Sequence, residues 1–364
     1  MSSPLPHTPP QSTPPQQGYS LSLHGLAALR ILIILAIGVG YASTMNIGAE
    51  NYEWGNHWGY DPSWYGVQLL FIFSGFLAAR SMAQGRSVLA FFSSRCRSLW
   101  PALIAATLFT VCFIYPVMCA PDAAVRMSPA DLAAYFFKTV FLVDPGARMP
   151  GLLDDAKYMC LLQGAIWTLR IGLILHLGFL IGWMTRILQN RYFVLALSVT
   201  AIAAYVTLVD TAVKIPEFGE KIGDALLAFR LGYAYLAGVA IFMWQDKLRL
   251  NGRRIIFSTL SLTLLTTVFY KWLPWSSIQE VMGVTVWLTI CLGFLHHAPK
   301  GLQRCPRLSP VLYVSVWPAA QIIVALLPSA SQIGIMLMSA ALASLSAVVV
   351  FLILRQASIQ PARL

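Results

Sequence analysis

Five ionisable side chains lie within long apolar stretches of this sequence, where a hydrocarbon environment makes a charge costly. They are Arg30, Arg170, His176, Arg230 and Glu280. A guanidinium is planar, always charged and suited to phosphate or carboxylate groups of a ligand. A histidine titrates near neutral pH and can accept or release a proton. The pattern therefore indicates an anion site, proton chemistry, or both, inside a membrane.

Each of these side chains also has a structural interpretation, and both alternatives stay open here. Arg30 lies near the start of its segment, so its long stem can carry the charge to the surface. The same two interpretations hold for Arg230. Arg170 is close to the end of its segment, which favours an interfacial position. His176 lies deeper and has no acidic neighbour in the sequence. This favours a structural histidine, hydrogen-bonded inside the protein, over a catalytic one.

The elements that position these residues must be membrane helices. Of 364 residues, 58% are hydrophobic and 11% are charged, against about 45–50% and about 25% in soluble domains. A helix needs roughly 17–25 apolar residues to cross the hydrocarbon core. We predict an all-α protein with ten spans, over 26–45, 62–82, 99–120, 165–185, 192–210, 223–244, 255–271, 277–296, 309–328 and 331–354.

The charges alternate along the chain. Basic residues cluster after every second predicted span, whereas the intervening loops hold nearly all the acidic residues. This is the positive-inside pattern, and it predicts that both termini are cytoplasmic. The net charge of +11 would then face anionic membrane lipids. We therefore predict contact with membrane lipids. Because no nucleic-acid motif is present, we predict no nucleic-acid partner.

Two tails and one short segment lie outside the predicted spans. Residues 1–18 are rich in Pro, Gln, Ser and Thr and are predicted to be a disordered cytoplasmic tail, without the basic region and cleavage site of a signal peptide. The membrane domain is predicted over 19–355, followed by a short cytoplasmic tail over 356–364. The apolar segment 131–143 is too short to span and is predicted to be half-buried or re-entrant.

The six cysteines do not have the spacing of a metal site, and we predict none. Cys119 and Cys160 both fall near the predicted outer face. Either a disulfide between them or two unpaired thiols is compatible with the sequence.

Four motifs occur in order along the chain. Residues 66–76 have glycine, phenylalanine and Ser-Gly-Phe in the order GVxLxFxxSGF, and 91–101 form a basic run that ends at a proline. Residues 163–169 are similar to NGxLWTL, and 309–318 to SYxxYLxHxP. Together they resemble the acyltransferase 3 family of integral membrane O-acyltransferases. The resemblance covers the first nine predicted spans and implies a multi-pass protein of the bacterial inner membrane that acylates surface or exported polysaccharide.

The resemblance also implies substrates and partners. It implies no resident cofactor but an acyl-CoA donor, in particular acetyl-CoA, and a glycan or lipid-linked glycan acceptor. A polysaccharide synthase or export protein is the implied partner. Retained basic and polar residues are the expected donor-binding residues, namely Arg30, Arg95, Arg97, Arg230 and Ser74.

The sequence departs from the family at three polar positions. The family's first helix has an arginine followed eleven residues later by a histidine, but here Arg30 is followed by Tyr41. A second possible register of that helix also lacks the histidine. Gly172 and Val316 replace the acidic residue after WTL and the histidine of the last motif. Tyrosine is a poor base at neutral pH, and losing a general base typically costs about 10²–10⁴-fold in rate.

Three functions are compatible with these observations. The first is a degenerate acyltransferase that binds a donor or a partner synthase. The second is an active acyltransferase with a rebuilt site around Arg30, Tyr41 and either His57 or His176. The third is a transporter of the acyl group or glycan, although no internal repeat supports it. Retention of Arg30 and Arg95 favours the first two, and the lost base favours the first of these.

Overall fold

The structure, a computed structural model, describes residues 25–48, 61–119, 126–144, 146–153, 161–248, 252–272, 277–304 and 308–356. Within these ranges every long element is a helix. His57, Cys160, the first tail and all of the second tail except Gln356 lie outside the described residues, so the predictions made for them stay predictions. Cys119 itself is buried.

Eleven helices of at least 12 residues organise the described part of the chain. They are α1 (Leu26–Ile47), α2 (Pro62–Ala83), α3 (Val88–Met118), α4 (Pro129–Val140), α5 (Ile166–Met184), α6 (Arg191–Lys214), α7 (Pro216–Met243), α8 (Gly252–Trp272), α9 (Ser277–His297), α10 (Ser309–Leu326) and α11 (Gln332–Gln356).

Nine of the helices in the described residues are long and apolar enough to cross a membrane, and they coincide with nine of the ten predicted spans. This length and composition make the chain a multi-pass helical membrane protein. The remaining predicted span is helical as α8 but is not among the nine. Six Ser and Thr residues between 258 and 267 lower its hydropathy. Several of their hydroxyls donate to the backbone one turn earlier, for example Thr263 to Thr259 at 2.8 Å.

Local sequence signals explain where the helices begin. Asp61 precedes Pro62, and its carboxylate accepts a 2.8 Å hydrogen bond from the Trp64 N–H. Such a cap satisfies a backbone donor that has no partner within the helix. Ser87 caps α3 in the same way through the Ala90 N–H. These caps fix the start of α2 and the turn that joins it to α3.

The centre of the bundle is built from α1, α2, α7 and α10, which carry most of the large buried side chains. Glycines let α2 and α7 approach until their backbones touch. A Cβ on Gly75 would fall on the carbonyl oxygen of Tyr235, and a Cβ on Gly238 would fall on that of Ile72. Glycine at both positions therefore sets the distance between these two helices.

Helix α4 covers most of the segment that we predicted to be half-buried or re-entrant. Its buried side includes Tyr135 and Val140, whereas Phe137 is exposed. Ser128 and Asp131 form a reciprocal capping box at its start. The hydrogen bonds that the carboxylate accepts from Ser128 lower the pKa of Asp131.

Candidate functional site

A cavity of about 170 Å³ lies between α1, α2, α3, α5 and α10. Four of the side chains predicted from the sequence line it, one from each of four helices: Arg30, Ser74, Arg95 and His176. Thr168 and Tyr313 add two hydroxyls, and most of the other lining is apolar or aromatic. The fold therefore brings together residues that are widely separated in sequence.

The two arginines have no counter-ion in the part of the chain that the structure describes. The described ion pairs involve other cations, and the described lining of the cavity includes no Asp or Glu. Arg30 and Arg95 line the same cavity, so their like charges repel each other. Arg95 also lies 5.3 Å from the ring centre of Phe91, and its Nε is buried without a hydrogen-bond partner. Unpaired charges in such a place are unfavourable, and an anion would relieve both.

His176 lies one turn after Gly172 on α5, and its Nδ1 is 2.6 Å from the Gly172 carbonyl oxygen. A carbonyl can only accept, so Nδ1 carries the hydrogen of this bond. The ring is 5.6 Å from the ring of Phe91 and 5.3 Å from that of Tyr235. Its other nitrogen, Nε2, is buried and has no partner among the described residues.

Tyr41 is buried behind the cavity and is not part of its described lining. Its ring packs edge-on against Trp317, with centroids 4.6 Å apart. Its side chain interacts with Tyr313, whose hydroxyl lies 2.5 Å from that of Thr168 at the cavity. Tyr41 is therefore connected to the cavity through Tyr313, which is part of the cavity lining. Nearby, Val316 packs against Gly38 of α1.

The last two sequence motifs contact each other beside the cavity. The Trp317 indole donates to the Leu161 carbonyl at 2.7 Å, and its ring covers Gly164. The Gln163 amide donates to Thr110 and accepts from Thr107, at 2.9 and 3.2 Å. These bonds anchor the start of α5 where α3 changes to a π-helical turn over Thr110–Ile114. We did not predict this contact, because hydrogen bonds between distant segments leave no periodic signal.

Arg230 is placed elsewhere, and its charge is already satisfied. Its Nε lies 2.9 Å from the Glu280 carboxylate, and the two side chains are 4% and 0% exposed. Tyr205 donates to the same carboxylate at 2.5 Å. The Gln68 amide also donates to this carboxylate. The guanidinium also donates to the Trp64 carbonyl at 2.9 Å. This network joins α2, α6, α7 and α9. Arg230 therefore has a third role, as one half of a buried ion pair, which we did not predict from the sequence.

The other predicted residues lie apart from the cavity. Arg97 is exposed, although it is only two residues from Arg95 on α3. Arg170 is exposed and donates to the Val143 carbonyl at 3.3 Å. His57 lies outside the described residues.

Comparisons with family models, with curated proteins and with solved structures found no match for this chain. The acyltransferase 3 assignment therefore remains a prediction based on the four motifs.

Proposed function

We propose that this protein is of the acyltransferase 3 type and binds an acyl-CoA donor in the cavity of Arg30 and Arg95, for acylation of a surface or exported polysaccharide. The observation that carries the proposal is the pair of guanidinium groups without a counter-ion, which share one cavity. Phosphate groups accept paired hydrogen bonds from guanidinium groups, and such charge-assisted bonds are stronger than neutral ones.

The rest of the lining suits the other parts of this donor. Leu70, Phe71 and Leu173 provide apolar surface for the acyl and pantetheine groups. Ser74 adds a hydroxyl on the same side as Phe71, three residues along α2. A cavity with a cationic part and an apolar part matches a ligand with the same division.

We further propose that α8 spans the membrane, which gives ten spans with both termini cytoplasmic in a bacterial inner membrane. Gly252 at the start of α8 contacts His297 at the end of α9. Further along, Thr259 donates to Thr289 at 2.9 Å. These contacts show that α8 runs antiparallel to α9, which is long and apolar enough to span. The positive-inside pattern then puts the start of α1, and so Arg30, on the side where acyl-CoA is found.

Catalysis by Tyr41 is not part of this proposal. The tyrosine is buried against Trp317 and is separated from the cavity by Tyr313. We propose donor binding as the primary function. A glycan acceptor and a polysaccharide synthase or export partner remain predictions from the resemblance.

The test is binding of acetyl-CoA to the purified protein in nanodiscs, measured by calorimetry. We expect Arg30→Ala and Arg95→Ala each to weaken binding by about 10- to 100-fold, as for the loss of a hydrogen bond to a charged group. Arg97→Ala is the matched control, because it removes the same charge from an exposed position on the same helix. Equal affinity of all three variants and the natural protein would contradict the proposal, and so would an absence of binding by the natural protein.

A further inference from the structure

Three buried polar atoms beside the cavity have no hydrogen-bond partner among the described residues. They are Arg95 Nε, His176 Nε2 and the Tyr235 hydroxyl. The rings of His176 and Tyr235 are 5.3 Å apart, and Phe91 contacts both His176 and Arg95. Three helices thus bring these three side chains together. Buried polar groups without a partner are rare and need an explanation.

The hydrogen-bonding capacity of this cluster can be read from its geometry. His176 Nδ1 carries the hydrogen of the bond to Gly172, so Nε2 of the neutral ring has a lone pair and can only accept. Arg95 Nε carries a hydrogen and can only donate. The Tyr235 hydroxyl, which is on a ring 2% exposed, can donate as well. The cluster therefore offers one acceptor and two donors.

We propose that these three residues bind the hydroxyl group of an acyl acceptor, and that His176 is the general base for its acylation. An alcohol has one hydrogen to donate and two lone pairs that accept, which complements the cluster. This inference rests on the proposed function, because the acyl group must come from a donor thioester in the adjoining cavity. It replaces Tyr41 as the proton acceptor with a residue that lines that cavity.

The reaction balances without a further reagent. His176 Nε2 takes the hydroxyl proton as the acceptor oxygen forms a bond to the thioester carbonyl carbon. The C=O π electrons move onto the thioester carbonyl oxygen of a tetrahedral intermediate, and Arg95 and Tyr235, as hydrogen-bond donors beside it, stabilise its negative charge. These electrons then re-form the C=O bond. The carbon–sulfur bond then breaks, and the leaving thiolate takes the proton from the imidazolium. The products are an ester and free CoA, and His176 returns to its neutral form.

The experiment measures release of the CoA thiol from acetyl-CoA by the protein in nanodiscs, with water or a simple sugar as the hydroxyl group. We expect His176→Gln to slow release by about 10²–10⁴-fold, and to reduce release far more than it weakens acetyl-CoA binding. His176→Ala should be similarly slow and should be partly restored by added imidazole, because the vacant space and the partner groups remain. A purely structural histidine would not show this rescue. Tyr235→Phe should slow release by about 10²–10³-fold, since it removes one hydrogen-bond donor to the developing negative charge.

Failure of this inference and failure of donor binding are distinguishable. Binding that depends on Arg30, without thiol release by the natural protein, would overturn the role of His176 and leave the donor site intact. Release by His176→Gln at the natural rate would also overturn it. If the natural protein binds no acetyl-CoA, both proposals fail together. Arg97→Ala serves again as the control, and it is expected to bind and release like the natural protein.

Discussion

Glu280→Leu is expected to lower the free energy of unfolding by about 3–5 kcal/mol, because it leaves Arg230 as a buried charge without a partner. The two side chains are 4% and 0% exposed and 2.9 Å apart. Neither charge can reach water by a small movement. The loss also removes the acceptor for Tyr205 and Gln68, so two more buried polar groups lose their bonds.

This prediction can be measured by unfolding the protein with SDS in mixed micelles. Asp246→Asn is the matched control, since it breaks an ion pair with Arg191 whose side chains are 50% and 39% exposed. Exposed pairs contribute about 0–1 kcal/mol. The double variant Arg230→Met, Glu280→Leu should recover much of the lost stability, because the buried charges are then absent. Similar losses in the free energy of unfolding for Glu280→Leu and Asp246→Asn would contradict the assignment of Arg230 and Glu280 as a buried ion pair.

The paired charge of Arg230 can be compared with the charges of Arg30 and Arg95, which have no counter-ion among the described residues. The two sites are built from overlapping helices, and α2 contributes Gln68 to one and Ser74 to the other. In the network the positive charge of Arg230 and the negative charge of Glu280 are neighbours. In the cavity two arginines share no such neighbour among the described residues. We infer that the fold tolerates the second arrangement because a ligand supplies the missing charge.

Much of the fold was predictable from the lengths of apolar runs. The span predicted over 26–45 is α1, Leu26–Ile47, and the span over 309–328 is α10, Ser309–Leu326. The largest difference is α3, which was predicted from 99 but begins at Val88. Its first turns contain serine and arginine, so hydropathy does not indicate a helix there. The Ser87 cap is the signal that does.

The site was predictable only in part. Arg30 and His176 were found because charged or titratable groups are rare in apolar segments, and Arg95 and Ser74 were found through the motifs. Tyr235 was missed because the chain has 14 tyrosines, and composition does not distinguish one with an unpartnered hydroxyl. The pairing of Arg230 with Glu280 was missed for another reason. Nothing in the sequence shows which helices will be neighbours.

Gly75→Ala is expected to lower the free energy of unfolding by about 1–3 kcal/mol or more, the cost of overpacking a filled interior. The added methyl would meet the Tyr235 backbone carbonyl. A side chain could rotate away, but a backbone carbonyl within a helix cannot, so α2 and α7 must separate. Gly238→Ala should behave alike, because its methyl would meet the Ile72 carbonyl.

The control for both is Gly178→Ala, since Gly178 is also helical but a Cβ there has nothing within 4 Å. Alanine at such a position is expected to be neutral or to stabilise by about 0.5–1 kcal/mol. The same mixed-micelle unfolding measures all three variants. Equal stability of Gly75→Ala and Gly178→Ala would contradict the close contact between α2 and α7.

The glycine variants also connect packing to the proposed chemistry. Separation of α2 and α7 would move Tyr235 relative to His176 and Arg95, which α5 and α3 carry. Arg30 lies on α1, so its contribution to acetyl-CoA binding should change less. Gly75→Ala is therefore expected to reduce thiol release more than acetyl-CoA affinity. The opposite order would mean that the α2–α7 contact supports the donor cavity rather than the acceptor cluster.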